Sequence, residues 1–328
     1  MLGWIRSFLF NRKQQVVING VTSKQTDVLS GVPQGSVMGP LLFVMYINDL
    51  PNIVDEGSDM YLFADDTKLY REILIEEDCL MLQDDLDKMN TWSETWDLFF
   101  HPGKCKVIRL GRSDVTEGEY KLGDHTLQHV QCEKDIGVTI DSKLNFGEHI
   151  SEKINKANSI MGMIRRTFTY LDEESFLALY KSLVRPHLEY ANPVWTPYQM
   201  KYIEALENVQ RRATKLIPGL QNKTYEERLE HLKLPTLAYR RLRGDVIELY
   251  KILTMKYDPY VSGFIKPNPN PQTRGHHLRL TKERHIKNIG KYSFPHRILN
   301  LWNALPNKVV EAPKVHIFER RFDKFMKN

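Results

Sequence analysis

An α+β fold is what these 328 residues predict, with strands and helices mixed in the first part and nearly continuous helix after it. Three observations carry that reading. Asn19-Gly20 stands between apolar runs, a strong signal for a two-residue hairpin turn. The apolar run Met60-Tyr61-Leu62-Phe63-Ala64 stops at Asp65-Asp66, as a strand does on entering a tight turn. From about residue 148 onward, apolar residues recur at helical spacing through four long segments.

Taken in order, Leu2, Ile5, Phe8 and Leu9 share a helical face, so residues 4–10 are expected as helix. Arg6 interrupts that run and no small-residue cleavage site follows, which argues against a signal peptide. Residues 14–20 read as a strand ending in the Asn-Gly turn. A glycine-rich loop, residues 31–39, leads into an apolar helix, and the Asp65-Asp66 hairpin comes next. A helix over about 76–97 is expected to turn Leu80, Leu82, Leu86 and Met89 inward and its acidic residues outward. Lys106 to Leu110 and Ile136 to Ile140 read as strands. Helices follow near 148–168, 172–190, 199–217 and 235–256. The Pro-rich stretch 266–271 reads as a linker, and a basic amphipathic helix is expected over about 313–327.

Two stretches carry candidate chemistry. In the first, Gly31, Pro33, Gly35 and Gly39 make a loop that backbone or ligand can approach closely, because glycine has no side chain in the way. Gln34 sits among them with a group that both donates and accepts hydrogen bonds. Ser36 is placed to cap the following helix, and Pro40 falls in its opening turns, where a missing N–H costs little. The loop reads equally as a nucleotide-binding turn or as a turn feeding a core helix. In the second, Asp65 and Asp66 offer hard oxygen ligands, of which Mg2+ usually takes one or two from protein and fills its other positions with water and phosphate. Taken alone, the pair also suits an ordinary solvated turn.

The segment SGVPQGSVMGPLLFVMYINDL at 30–50, followed by YLFADDTKL at 61–69, closely resembles the reverse transcriptases of non-LTR (LINE-type) retrotransposons, as polymerase motifs B and C. Residues 91–110 (TWSETWDLFFHPGKCKVIRL) are similar to motif D and its lead-in, and 135–141 (DIGVTID) to the motif E region. LVRPHLEYANPVW at 183–195 and NVQRRATKLIPGL at 208–220 resemble the thumb and post-thumb segments of these elements. The resemblance implies a partial palm, an antiparallel sheet with helices, over 1–142. It implies a helical thumb over 143–218 and a basic helical C-terminal region over 219–328.

It also implies RNA-directed DNA polymerase activity, in which two Mg2+ (or Mn2+) ions serve nucleotidyl transfer to a DNA 3′ end. The partners would be an RNA template, a DNA primer and dNTPs. Asp65 would be the metal ligand, and Asp66 its neighbour at the metal or primer end. Pro33, Gln34 and Gly35 would lie against the templating base and incoming nucleotide. Phe63 and Ala64 would flank the substrate, Phe63 standing where many relatives have tyrosine. Lys104 would face the phosphates, with Lys106 as the competing assignment; a lysine there neutralises developing charge or donates a proton.

One departure stands beside the match. A polymerase palm needs a further metal-binding aspartate on an apolar strand ahead of motif B, and the only carboxylate ahead of Ser30 is Asp27, in a polar stretch. Asp49, after motif B, is no substitute. The chain is therefore expected to begin within the palm, without motif A, fingers or an endonuclease domain, and to polymerise poorly alone. The alternative is a catalytically inactive RNA/DNA-binding remnant of a transposable element.

Charge is divided unevenly. Residues 1–200 hold 20 Lys and Arg against 29 Asp and Glu, and residues 201–328 hold 26 against 12. The basic C-terminal part is the expected phosphate-contacting face, densest at Arg211-Arg212, Arg240-Arg241-Leu242-Arg243 and Arg320-Arg321. Tyr239, Tyr250 and Phe318 lie nearby at spacings that suit a core. Three separated cysteines make no zinc pattern and fit a reducing, intracellular compartment, the nucleus and/or cytoplasm. No stretch approaches the roughly 18 apolar residues of a membrane span.

Overall fold

The computed structural model describes residues 2–111, 118–257, 265, 268 and 275–327. It is an α+β chain that divides into two compact units, Met1–Val130 and Gln131–Asn328. The boundary falls ahead of the hairpin Cys132–Asp135 with Val138–Asp141, which the resemblance counts with the palm. Of the proposed linker at 266–271, all but Asn268 lies outside the described residues.

The first unit opens with the helix Leu2–Leu9. Val17–Ile18 and Val21–Thr22 follow as a small hairpin whose turn places both Asn19 and Gly20 at positive φ. The helices Met38–Ile47 and Glu76–Thr95 bracket the longer hairpin Ser58–Phe63 with Asp66–Arg71. Ile47, Leu50, Met89 and Trp92 form the buried core between them, joined by Phe43, Met60, Leu62, Leu69, Leu86 and Phe100. A second small cluster, Tyr120, Leu122 and Leu127, packs on Leu82, Phe100 and Val107.

Three expectations change here. Leu80 is 71% exposed, and Asp85 is fully buried in its place, because the inward stripe of Glu76–Thr95 runs through 85, 89 and 92. Ile136 is a turn residue, not a strand residue. With φ of 41° it shares the Asp135–Val138 turn with Gly137, as two-residue hairpin loops require. Instead of one antiparallel sheet, the described strands form two-stranded pairs, and Lys106–Ile108 pairs in parallel with Gln128–Val130. Four of the six pairs are local hairpins; the other two join strands apart in sequence, Lys13–Gln14 with Thr26–Asp27 and the parallel pair.

The second unit is helical, as the periodicity predicts, over Gly147–Thr167, Met200–Thr214 and Leu237–Leu253. The segment expected as one helix over 172–190 is Glu173–Leu179, a π turn Tyr180–Val184, and Arg185–Glu189, with Pro186 at the start of the last. Side-chain caps begin several helices. Asp172 accepts from Ser175 N–H at 2.7 Å, and Thr236 from Tyr239 N–H at 3.1 Å. Trp195, Tyr180, Leu188, Leu206 and Leu237 belong to one buried cluster, and Trp302, Tyr250, Phe318 and Phe322 to another. Tyr250 and Phe318 stack at 4.1 Å, so they are core residues.

Several buried polar groups in this unit are tied together. Glu207 accepts from the N–H of Leu237 at 3.0 Å and of Ala238 at 3.3 Å, and from the Tyr225 hydroxyl. Gln210 accepts from Tyr180 at 2.7 Å and donates to Pro235 O at 3.0 Å. Such satisfied networks hold one arrangement of the helices.

His149 is fully buried and accepts from Thr139 N–H at 3.1 Å, while its Nε2 has no partner among the described residues. Burial holds this imidazole well below its ordinary value, at about 4; the Lys153 and Lys134 charges add to the effect and Glu152 opposes it. The unfolded chain takes up a proton as pH falls through the free value, and the folded chain does not until about 4. Stability is therefore complete above about 6.5 and is lost between there and 4. We expect urea unfolding to show a loss of about 1–2 kcal/mol between pH 7.5 and 5 from this group. An unchanged pH slope in His149→Asn would assign the loss elsewhere.

Candidate functional site

The Asp-Asp hairpin is built by strict alternation. Along Ser58–Phe63, residues 58, 60 and 62 are half-buried and 59, 61 and 63 exposed, as strand geometry dictates. Met60 and Leu62, with Leu69 across the ladder, seat the inner face on the core. Phe63 pairs with Asp66, leaving Ala64 and Asp65 as the two turn residues. Ala64 takes φ of 53°, a left-handed conformation that costs a non-glycine residue about 1–2 kcal/mol. Phe63, Ala64, Asp65 and Asp66 are all exposed at the tip. Among the described residues no side chain pairs with either carboxylate, so both oxygens stay open to a ligand.

The hairpin base is pinned by Asp85. Its carboxylate accepts from Asp55 N–H at 2.8 Å and from Ser58 Oγ at 2.5 Å. Arg71 donates to the same Ser58 Oγ at 3.0 Å, and Lys88 reaches Asp55 at 2.6 Å. The sequence reading missed Asp85; its phase with Met89 and Trp92 was the available signal. Removing the acceptor leaves a part-buried N–H and a hydroxyl without their partner, at about 1–3 kcal/mol. Asp85→Ala is accordingly expected to speed hydrogen exchange at amides 58–71 while those of 200–214 keep their rate. Equal protection in the variant would remove Asp85 from this role. Asp49 is also structural, accepting from the Trp92 indole at 3.2 Å.

The glycine loop is equally determined. Arg12 donates to Gly31 O, holding the loop entry. Pro33 to Ser36 form a turn closed by Ser36 N–H to Pro33 O at 3.4 Å, with Gly35 at φ of 79°. That positive φ at the third residue is what a type II turn demands. Gln34 and Gly35 lie exposed at its apex and Pro33 is half-buried. Ser36 Oγ accepts from Gly39 N–H at 3.0 Å, capping Met38–Ile47. A Cβ on Gly39 would stand 2.9 Å from Pro33 O, so only glycine lets the loop fold back on its helix. The far end of that helix, Phe43 and Ile47, enters the same core as the hairpin.

Lys104 is exposed at the end of the short 3-10 turn Pro102–Lys104, and Lys106 opens the strand Lys106–Ile108. Phe100, just ahead of them, packs in the hairpin core. One core thus carries the loop helix, the Asp-Asp hairpin and the lead-in to the lysines.

The donor set suits a hard divalent cation: two adjacent carboxylates on a solvent-facing tip. It is short for two ions. Among the described residues, no third His, Cys, Asp or Glu completes a group of three with Asp65 and Asp66 within 4.8 Å. Asp27 is held in a separate strand pair opposite Lys13.

Of the basic clusters expected to contact phosphate, Arg240 and Arg243 are ion-paired inside the second unit. Arg240 donates to Glu189, at 2.8 Å through Nη2, and Arg243 to Asp323 at 2.7 Å. Arg241 is buried, Arg212 donates to Asn158 at 3.1 Å, and Arg211 lies over the Tyr225 ring. Acidic residues distant in sequence take up the Arg240 and Arg243 charges, while Arg211, Arg212 and, on the final helix Val315–Lys327, Arg320 stay exposed. No helix among the described residues is long and apolar enough to cross a membrane.

Residues 1–160 match the family described as reverse transcriptase (RNA-dependent DNA polymerase). Over 228 residues the chain is 27% identical to the RNA-directed DNA polymerase from mobile element jockey of Drosophila melanogaster, covering 66% of this chain and 25% of that protein. The jockey polymerase of Drosophila funebris is 28% identical over 229 residues, with the same coverage. The probable RNA-directed DNA polymerase from transposon X-element of Drosophila melanogaster is 24% identical over 229 residues, covering 67% and 25%. The chain spans about a quarter of the length of these relatives.

Proposed function

Residues 1–160 belong to the reverse transcriptase family, of the LINE type, and from that premise we propose that this chain supplies the nucleotide-loop and metal-hairpin part of an RNA-directed DNA polymerase. The observation that carries the proposal is the exposed Asp65-Asp66 tip, set on the same core as the capped loop that presents Gln34. In this reading the first unit is palm and the helices that follow are thumb and C-terminal region. The setting is intracellular, and the substrates are dNTPs, a DNA primer and an RNA template.

Asp65 holds the divalent ion, Mg2+ or Mn2+, and Asp66 supports it or the primer end. An ion bound there would act as a Lewis acid on the phosphoryl oxygens. Gln34, with backbone of Pro33 and Gly35, sets the incoming nucleotide against the template base. Phe63 and Ala64 hold the tip beside the primer end. Lys104 offsets charge on the departing pyrophosphate or gives it a proton. The absence of a third carboxylate among the described residues favours a second reading alongside the first: nucleic-acid binding by the chain, without turnover.

Iron mapping tests the metal assignment. With Fe2+ in place of Mg2+, and ascorbate and peroxide present, backbone cleavage is expected within 58–71 and is expected to vanish in Asp65→Asn. Cleavage that persists in that variant, or none in that hairpin, would remove Asp65 as the ligand.

A further inference from the structure

A second cluster of metal-ligating groups lies in the other unit. Glu283, His285 and His296 each offer a ligand atom, and the three atoms lie within 4.8 Å of one another. The imidazoles of His285 and His296 meet at 4.1 Å between centroids, inclined by 70°. His285 Nε2 is buried and, among the described residues, has no hydrogen-bond partner. An unpaired buried nitrogen of this kind costs free energy unless something takes its lone pair or proton.

The hydroxyl of Ser293 sets the tautomer of the other ring. It donates its single proton to Gly290 O at 2.8 Å and lies 3.2 Å from His296 Nδ1. With its proton committed, it can only accept from that nitrogen, so Nδ1 carries the hydrogen and Nε2 presents a lone pair. A hydrogen bond on the distal nitrogen is how proteins orient metal-binding histidines. Gly290 serves the first ring: a Cβ there would stand 2.7 Å from His285 Nδ1, so the helix Asn288–Tyr292 can close over the imidazole only with glycine at that place.

We propose that Glu283, His285 and His296 bind a single Zn2+ ion, with water in the fourth position. Two imidazoles and one carboxylate are a borderline-soft donor set that zinc accepts in tetrahedral geometry, at about 2.0–2.2 Å from each ligand. Those bonds place ligand atoms about 3.3 Å apart, so the exposed Glu283 side chain must close in by an ångström or so. His296 begins the turn His296–Ile298, and Ile298, Leu299 and Trp302 are buried in the core immediately after it. The ion would clip the exposed stretch 283–287 to that core. That clip is independent of the polymerase reading. Lys282, Arg284 and Lys287 flank the site, and only one ligand is anionic, so micromolar affinity is expected.

Zinc titration of the full chain, stripped with chelator and read by competition with a chromophoric chelator, tests the proposal. One equivalent is expected to bind and to raise the melting temperature. His285→Gln is expected to lose that equivalent, and Glu283→Gln to weaken it at least about tenfold. His277→Gln, at an exposed histidine outside the cluster, is expected to leave it intact. Co2+ in its place is expected to give the visible bands of a tetrahedral site. His296 adjoins the core, so His285→Gln and Glu283→Gln decide the matter if His296→Gln fails to fold. No binding at 100-fold the micromolar range, or an equivalent that survives His285→Gln, overturns it.

Discussion

Supplied with dNTPs, Mg2+ and a primed RNA template, the purified chain is expected to extend the primer no further than its Asp65→Asn variant does. The reason is the donor set. Asp65 and Asp66 are accessible at the hairpin tip, but no third ligand among the described residues joins them. Groups that act as a catalytic unit lose orders of magnitude in rate when one is missing. Joined in frame behind a palm segment that brings the aspartate strand the family places ahead of motif B, the same residues are expected to catalyse extension. In that fusion Asp65→Asn should remove it by at least about 10^3-fold. Extension by the chain alone that Asp65→Asn abolishes would show that a carboxylate elsewhere completes the site. A folded fusion that binds template and never extends would favour the binding-only reading.

The largest stability effect is expected at Asp245. This carboxylate is buried and takes a two-pronged contact from Arg297, at 2.7 and 2.8 Å, with Asn192 donating at 3.1 Å. Arg297 Nη2 also donates to Pro193 O at 2.8 Å. Burial raises the Asp245 carboxyl above its ordinary value in spite of Arg297, so desolvation outweighs attraction. The pair is therefore worth little against an apolar substitute, while breaking it strands a guanidinium. Removing one partner of a buried pair costs about 3–5 kcal/mol. Asp245→Ala should lower the urea midpoint accordingly, and Asp245→Leu combined with Arg297→Met should recover most of the loss. A cost below about 1 kcal/mol for the single variant would mean that water reaches this pair.

Local chemistry made much of the site legible. A two-residue turn after an apolar strand needs no distant contact to be recognised, so Asp65-Asp66 at a tip and Asn19-Gly20 in a turn could be read directly. Ser36 and Gly39 form a cap within four residues, so that loop was legible too. Long-range choices were hidden. Leu80 and Asp85 are both compatible with the helix Glu76–Thr95, and only the hairpin packed on one side of it decides which is buried. The parallel pairing of Lys106–Ile108 with Gln128–Val130 had no marker in either segment. The cluster of Glu283, His285 and His296 escaped because the two histidines are separated by a helix and show no close-spaced pattern.

The division follows the range of the forces involved. Turn propensity, capping and apolar period act within a few residues, and they determined the α+β class, the Asp-Asp hairpin, the loop and the run of helices. Charge pairing and burial act across the fold. The same arginines that read as a phosphate grip in the sequence were assigned by tertiary packing to Glu189 and Asp323, 51 and 80 residues away. A guanidinium brought against a carboxylate out of bulk water is held there, and no pattern around Arg240 or Arg243 records which carboxylate the fold will bring.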